Sequence, residues 1–269
     1  MRLISNFLFI ILGSIILQAC DAFDIHPYSG KIDGQKNINI TNIKKIEDRY
    51  ANRDTIRYAF ISDSQRWYDE LDDFVKSVNQ RDDIDFIIHG GDVTDFGLIK
   101  EFVWQRDILE KLDQPYVVLL GNHDCLANGE EIYAQIFGKP NFSFIAGKTK
   151  FLCLNTNALE ADYSNPIPDF SFIKNERDTS QEKFDKTVVV MHAAPFSEQF
   201  NNNVAEVFQY SIREYPNLLY CNNGHGHQYK TEDLFQDDII YYETPNIGKR
   251  QYITFTITKD NFSHELTSF

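Results

Sequence analysis

An α/β fold is what this sequence predicts, and three observations predict it. Mostly apolar runs at residues 56–61, 85–89 and 115–120 alternate with segments whose apolar residues recur at helical spacing. Each run stops at glycine, asparagine or aspartate, residues that end strands and open turns. Side chains able to ligate or titrate gather at those stops, and ligands bind there in an open α/β sheet.

The first strand, Ile56–Ile61, ends at Ser62-Asp63. Leu71, Phe74, Val75 and Val78 then mark one face of a helix whose other face is acidic and lysine-bearing. The run at 85–89 breaks at Gly90-Gly91, and Ile99, Phe102, Val103, Arg106 and Leu109 mark a second amphipathic helix. Residues 115–120 are nearly pure apolar, as a strand covered on both faces should be, and Gly121-Asn122 ends them. Residues 142–145 and 150–155 read as antiparallel strands joined through Gly147, followed by a polar, proline-containing loop at 160–169. A buried strand at 187–191 delivers His192, and a helix at 205–215 leads to a strand at 218–221. Strands at 239–243 and 251–258, and a last short pair at 262–266, close the chain. No internal repeat, low-complexity segment or second-domain linker interrupts it.

The chain ends carry an address. Arg2 precedes an apolar stretch from Phe7 to Leu17, too short for a comfortable membrane span, which reads as a secretion signal. Leu17-Gln18-Ala19-Cys20 resembles the bacterial lipobox, which implies a lipidated Cys20 at a new N-terminus. More than one acyl chain on that cysteine gives firm anchoring. The expected organisation is a signal peptide at 1–19, a polar tether at 20–53 and one folded domain at 54–269. The expected location is the cell envelope, lipid-anchored on the outer side of a bacterial membrane. A cleaved soluble signal with an incidental Cys20 is the alternative.

The net charge of −14 becomes −15 once Arg2 leaves with the signal. That balance disfavours nucleic acid as a partner, since its backbone calls for a basic footprint. A small phosphorylated substrate stays open, because bound cations reverse the local field. Four cysteines with no CxxC spacing supply neither a disulfide framework nor a zinc ligand set, and Cys153 lies in an apolar strand as a buried thiol.

Five strand ends share one chemistry: Asp63; Gly91-Asp92-Val93-Thr94-Asp95; Gly121-Asn122-His123-Asp124; His192; and Gly224-His225-Gly226-His227. Hard oxygen ligands mixed with imidazoles describe a site for two adjacent divalent ions, with a histidine and an aspartate left over for proton transfer. Asp92 suits a bridging position, where its charge reduces the repulsion between two cations. Asn122 offers an amide oxygen, His123 beside it can face substrate, and the glycine between His225 and His227 permits a tight bend. Taken singly, Asp63 reads as a helix cap, Gly91 to Asp95 as a capped turn, His192 as a core-edge histidine and the Gly-His turn as an ordinary loop. Gly121 to Asp124 resists such a reading, since a histidine and an aspartate straight after an apolar run have little packing value. Independent accidents at five strand ends are a poor explanation. His26, His89 and His264 have no such context and read as structural.

In this order the segments resemble the motif series of the calcineurin-like metallophosphoesterases, over roughly residues 56–251. The resemblance implies a four-layer α/β/β/α arrangement, a β-sandwich flanked by helices, with a binuclear centre at the sheet edge. It implies Asp63, Asp92 and His227 at the first metal, and Asp92, Asn122, His192 and His225 at the second. It implies His123, steered by Asp95, as transition-state stabiliser and leaving-group acid. One position departs from the family: Asp63-Ser64 is followed by Gln65 rather than histidine. Glutamine presents an amide oxygen, a harder donor that shifts the first site away from softer metals. The expected cofactors are two divalent ions, Mn, Fe or Zn. The expected reaction is hydrolysis of a phosphate monoester or diester by a metal-bound hydroxide. The alternative is a non-catalytic surface lipoprotein that binds a phospho-ligand, with Gln65 reporting a decayed first site.

Overall fold

The computed structural model describes residues 31–162, 164–179 and 183–269. The signal peptide and Cys20 therefore lie outside the described residues. Among those described, no helix is long and apolar enough to cross a membrane.

Two sheets carry the chain. The first has strand order β11-β10-β1-β2-β3, with β1 Ile56–Ile61, β2 Phe86–His89, β3 Tyr116–Val118, β10 Gln251–Ile257 and β11 Phe262–Ser268. The second has order β4-β5-β6-β7-β9-β8, with β4 Phe142–Ala146, β5 Thr149–Leu154, β6 Lys186–Met191, β7 Leu218–Asn223, β8 Lys230–Glu232 and β9 Tyr241–Glu243. Strands β1, β2 and β3 run parallel, as do β5, β6, β7 and β9. Their C-terminal ends therefore share one edge in each sheet.

The period-2 alternation of side chains builds the layers. Tyr58 and Phe60 of β1 join Phe86, Ile88, Phe151, Val188, Val190, Tyr220 and Phe255 in a core between the sheets. Their neighbours Ala59 and Ile61 face the other way, toward Leu71, Phe74 and Val78 of α2 (Tyr68–Asn79) and Phe102 of α3 (Ile99–Leu109). Ile132 and Ile136 of α4 (Gly129–Ile136) complete that outer layer. Behind the second sheet, Ile173 of α5 (Phe170–Asp178) and Phe208 and Ile212 of α6 (Ala205–Arg213) pack on Val189 and Met191. Four layers, α/β/β/α, result.

The structure corrects two expectations. Within the supposed tether, Ile38–Tyr50 forms a helix, α1, with Ile38 and Ile46 buried. Its polar face hides the reason. The Asn39 amide donates to the Val118 carbonyl at 2.8 Å and accepts from the Val118 N–H at 2.9 Å, while Asn42 donates to the Tyr116 carbonyl at 2.9 Å. Two asparagines thus satisfy the free edge of β3 as another strand would. The terminal strand pair is instead one seven-residue strand, Phe262–Ser268, paired antiparallel along all of β10. Cys125, Cys153 and Cys221 are free thiols, Cys153 fully buried.

Candidate metal centre

The C-terminal edges of the two sheets meet, each laced by its own bonds and joined to the other across the sandwich. The Asp63 N–H donates to the Gly91 carbonyl at 2.9 Å, and the Gly224 N–H to the His192 carbonyl at 3.0 Å. Across the sandwich, the Tyr58 hydroxyl donates to Asn222 Oδ1 at 2.5 Å and the His225 N–H donates to Asp63 Oδ2 at 3.1 Å. Close approach needs small residues. A Cβ on Gly121 would collide with Asp92, and one on Gly224 would lie 2.7 Å from Asp63 Oδ2. Asp63, Gln65, Asp92, His225 and His227 all hold positive φ, between 29° and 72°. Such conformations cost about 1 kcal/mol or more each and persist only where surrounding structure imposes them.

Asp63, Asp92 and His192 are all buried and bring ligand atoms within 4.8 Å of one another, forming a site for a divalent cation. Around them stand the other predicted ligands. Asn122 Oδ1 lies 3.0 Å from His192 Nε2 and 3.1 Å from His225 Nδ1. Asp92 Oδ2 lies 3.4 Å from His192 Nε2 and 3.3 Å from Gln65 Nε2. His227 Nε2 lies 3.1 Å from Asp63 Oδ1.

These contacts fit a cation better than they fit each other. Asp63 Oδ1 is buried without a hydrogen-bond partner, although His227 Nε2 stands 3.1 Å away. His192 donates its Nδ1–H to the Gly90 carbonyl at 2.9 Å, which aims Nε2 at the carboxylates. His225 has Asn122 Oδ1 at one ring nitrogen and Glu198 Oε1, 3.2 Å away, at the other. With Asn122 presenting its oxygen, a neutral ring has one proton for two acceptors, and a cation at that oxygen would relieve the contact left without one.

Charge tells the same story. Burial alone would lower His192, but the Asp92 carboxylate and then Asp63 outweigh it and raise the ring to about 10. Burial would raise Asp63, but His227 and the charge on His192 hold it near 2. His227 is raised by its contact with Asp63, while burial and the charge on His192 lower His225. A proton stands where positive charge is wanted.

His123 and Asp95 come together, but not as the resemblance implies. His123 Nδ1 meets the backbone carbonyl of Asp95 at 2.9 Å. The Asp95 carboxylate is taken by Arg66, whose Nη2 and Nε lie 2.6 and 3.2 Å from Oδ1. The guanidinium holds it with two charge-assisted bonds. The His123 N–H, in turn, donates to Asp92 Oδ1 at 2.9 Å.

Sequence reasoning missed the residues that brace these loops. Buried Asp124 accepts the N–H groups of Gly121 and Thr94 at 2.9 Å and the Thr94 hydroxyl at 2.9 Å. Burial first, then the Asp92 charge, raises its carboxyl to about 7. His89 accepts the Gly91 N–H at Nδ1 and meets the Ser64 hydroxyl at 2.8 Å through Nε2, while Ser64 donates to Gln105 Oε1 at 2.8 Å. Gln105 donates onward to the Gln65 carbonyl. His89 is structural, as expected, yet it braces both ligand loops. Its place just before Gly90-Gly91 was the available signal. Glu198, which holds His225, sits in a loop without periodicity and gave none.

The sequence profile of the family described as calcineurin-like phosphoesterase matches residues 56–229, more than half of the chain. No curated protein matches the chain. Among solved structures, a dimetal phosphatase from Danio rerio superposes with a TM-score of 0.59 at 11% identity, covering 79% of this chain and 96% of that one. GAP50 of Plasmodium, described as the anchor in the inner membrane complex, gives 0.59 at 12% identity, covering 80% and 85%. A purple acid phosphatase from yellow lupin (Lupinus luteus) seeds gives 0.60 at 13% identity, covering 81% of this chain and 52% of the lupin chain. At such identities the likeness is one of fold.

Proposed function

This chain belongs to the calcineurin-like phosphoesterase family, and on that premise we propose that it hydrolyses small phosphate mono- or diesters with two divalent cations that share Asp92. Metal-dependent phosphoester hydrolysis is the activity that the family and the Asp63–Asp92–His192 cluster support. The observation that carries the binuclear reading is the position of Asp92 Oδ2, which touches Gln65 on one side and His192 on the other. Asp63, Gln65, Asp92 and His227 would hold one ion, and Asp92, Asn122, His192 and His225 the second. A half-turn of the Gln65 amide presents its oxygen to the point its nitrogen occupies. Mn, Fe and Zn all suit this donor set.

When bound, the two ions supply an activated water and neutralise the equatorial phosphate oxygens. The chain's own part is to orient and to move a proton. His123, with Nδ1 on the Asp95 carbonyl, keeps Nε2 for the departing ester oxygen. Arg66, largely exposed, pairs with Asp95 at the rim. The envelope location belongs to the same reading: Cys20 carries lipid and residues beyond it join the anchor to the domain.

The test is elemental analysis after dialysis, followed by a screen of phosphomonoesters and phosphodiesters with Mn or Zn. We expect more than one metal per chain and turnover of at least one class. Bound metal without turnover of any ester would favour the phospho-ligand-binding alternative. Mass spectrometry of the N-terminal peptide checks the anchor; an unmodified Cys20 refutes it.

A further inference from the structure

His123 has no carboxylate at its Nδ1, yet a carboxylate stands one peptide away. The Asp95–Phe96 peptide is bonded at both ends. Its carbonyl meets His123 Nδ1 at 2.9 Å, and its N–H donates to Glu101 Oε2 at 3.1 Å. The same Glu101 oxygen accepts the Leu98 N–H at 3.0 Å, which fixes the carboxylate at the start of α3. Glu101 and Asp95 are both buried.

The rest of the loop is pinned independently. Thr94 Oγ1 accepts the Gly97 N–H at 3.1 Å and donates to Asp124. Gly97 has φ of 68°, and a Cβ there would run into the Leu126 carbonyl. The peptide plane therefore has little freedom to turn away from the imidazole. Meanwhile Arg66 occupies the Asp95 carboxylate.

We propose that Glu101 is the positioning residue of His123, acting through the Asp95–Phe96 peptide, while Arg66 keeps the Asp95 side chain from taking its place. A charged acceptor on the N–H side polarises the peptide and strengthens its carbonyl as an acceptor. That keeps a proton on Nδ1 and turns Nε2 toward substrate, where a second proton on that nitrogen is the one the ring gives to the departing oxygen. Glu101 touches neither substrate nor metal ligand. The inference rests on His123 acting as leaving-group acid in the proposed reaction.

The decisive variant is Glu101→Gln, which retains an acceptor oxygen for the Phe96 and Leu98 N–H groups and removes the charge. In the zinc-loaded full chain, nitrogen-15 NMR of the histidine rings should show His123 protonated at Nδ1. Its Nδ1–H proton should move upfield in the variant as the bond weakens. Turnover of phenyl phosphate should fall about tenfold, a fraction of the 10²–10⁴ that a positioned acid contributes, while nitrophenyl phosphate changes less than about twofold. KM should hold for both esters. In a His123→Ala background, Glu101→Gln should cost nothing further on phenyl phosphate.

Equal losses on both esters, a loss carried by KM, additivity with His123→Ala, or a His123 in the unaltered protein whose Nδ1 carries no proton would each overturn the proposal. If the glutamine variant fails to fold, Glu101→Asp carries the same comparison: it keeps the charge and retracts it by one methylene, and it should show the same selective loss. If the unaltered protein turns over neither ester, the functional reading falls, and the NMR comparison still decides how His123 is held.

Discussion

The two sheets contribute opposite halves of one centre. From the first come oxygen donors, Asp63, Gln65, Asp92 and Asn122, all buried and cross-braced by Asp124 and by the His89–Ser64–Gln105 chain. From the second come imidazoles, and there burial grades outward: the His192 side chain is fully buried, while that of His227 is 42% exposed. His225 leans on Glu198, a residue 77% exposed. On the proposed reading, the braced half would set charge and spacing, and the more exposed half would offer nitrogen donors that can adjust to the ion. Buried carboxylates repel one another in the empty site, and burial sharpens that repulsion, so the oxygen-bearing half has to be braced.

The sharpest way to break this contrast is at its centre. Asp92→Asn removes the shared charge and should cost metal as well as rate, at least about 10³-fold in turnover. Metal content and kcat, measured on the same preparation, check it. Retention of both metals would deny Asp92 its bridging place.

His123→Ala separates catalysis from metal binding. Both metals should stay, and turnover should drop roughly 10²–10⁴-fold, least for a nitrophenyl ester whose leaving group hardly needs a proton. Metal loss in this variant would show that His123 supports the cluster rather than the chemistry.

A pair of substitutions compares the halves directly. His192→Ala should weaken metal binding more than His227→Ala, by about ten- to a hundredfold in dissociation constant, because only His192 is buried and oriented by a carbonyl. Equal losses in a metal titration would erase the gradient. On the braced side, Gln65→His should tighten the first ion; no change in affinity would place Gln65 outside the ligand set.

The smallest effect is one of pH. His192 sits at about 10 in the metal-free protein, so a cation must displace its proton. Apparent metal affinity should therefore rise with pH up to that value. Calorimetry in two buffers of different ionisation enthalpy should show proton release on binding. The sign for the empty fold is the reverse. A raised histidine stabilises it fully below the unfolded value near 6.5, and that support is lost as pH climbs through about 10. A metal-free protein whose melting temperature rises from pH 7 to 10 would contradict the assignment.

By itself the sequence determined the α/β class and the strand ends that gather at the candidate metal centre. Both are local signals: apolar runs of strand length announce buried strands, and a polar residue straight after one lies at the sheet edge. Asp63, Asp92, Asn122, His123, His192, His225 and His227 were all legible this way. Tertiary structure alone decided what each side chain meets. Helix α1 was hidden because asparagines, read as polar tether, serve there as β3's missing partner. The partner of His123 was misread because Asp95 offers two acceptors, and Arg66, 29 residues earlier in the chain, takes the carboxylate. Hydrogen bonds between such distant residues follow from which loops the sheets bring together, and no spacing along the chain encodes that meeting.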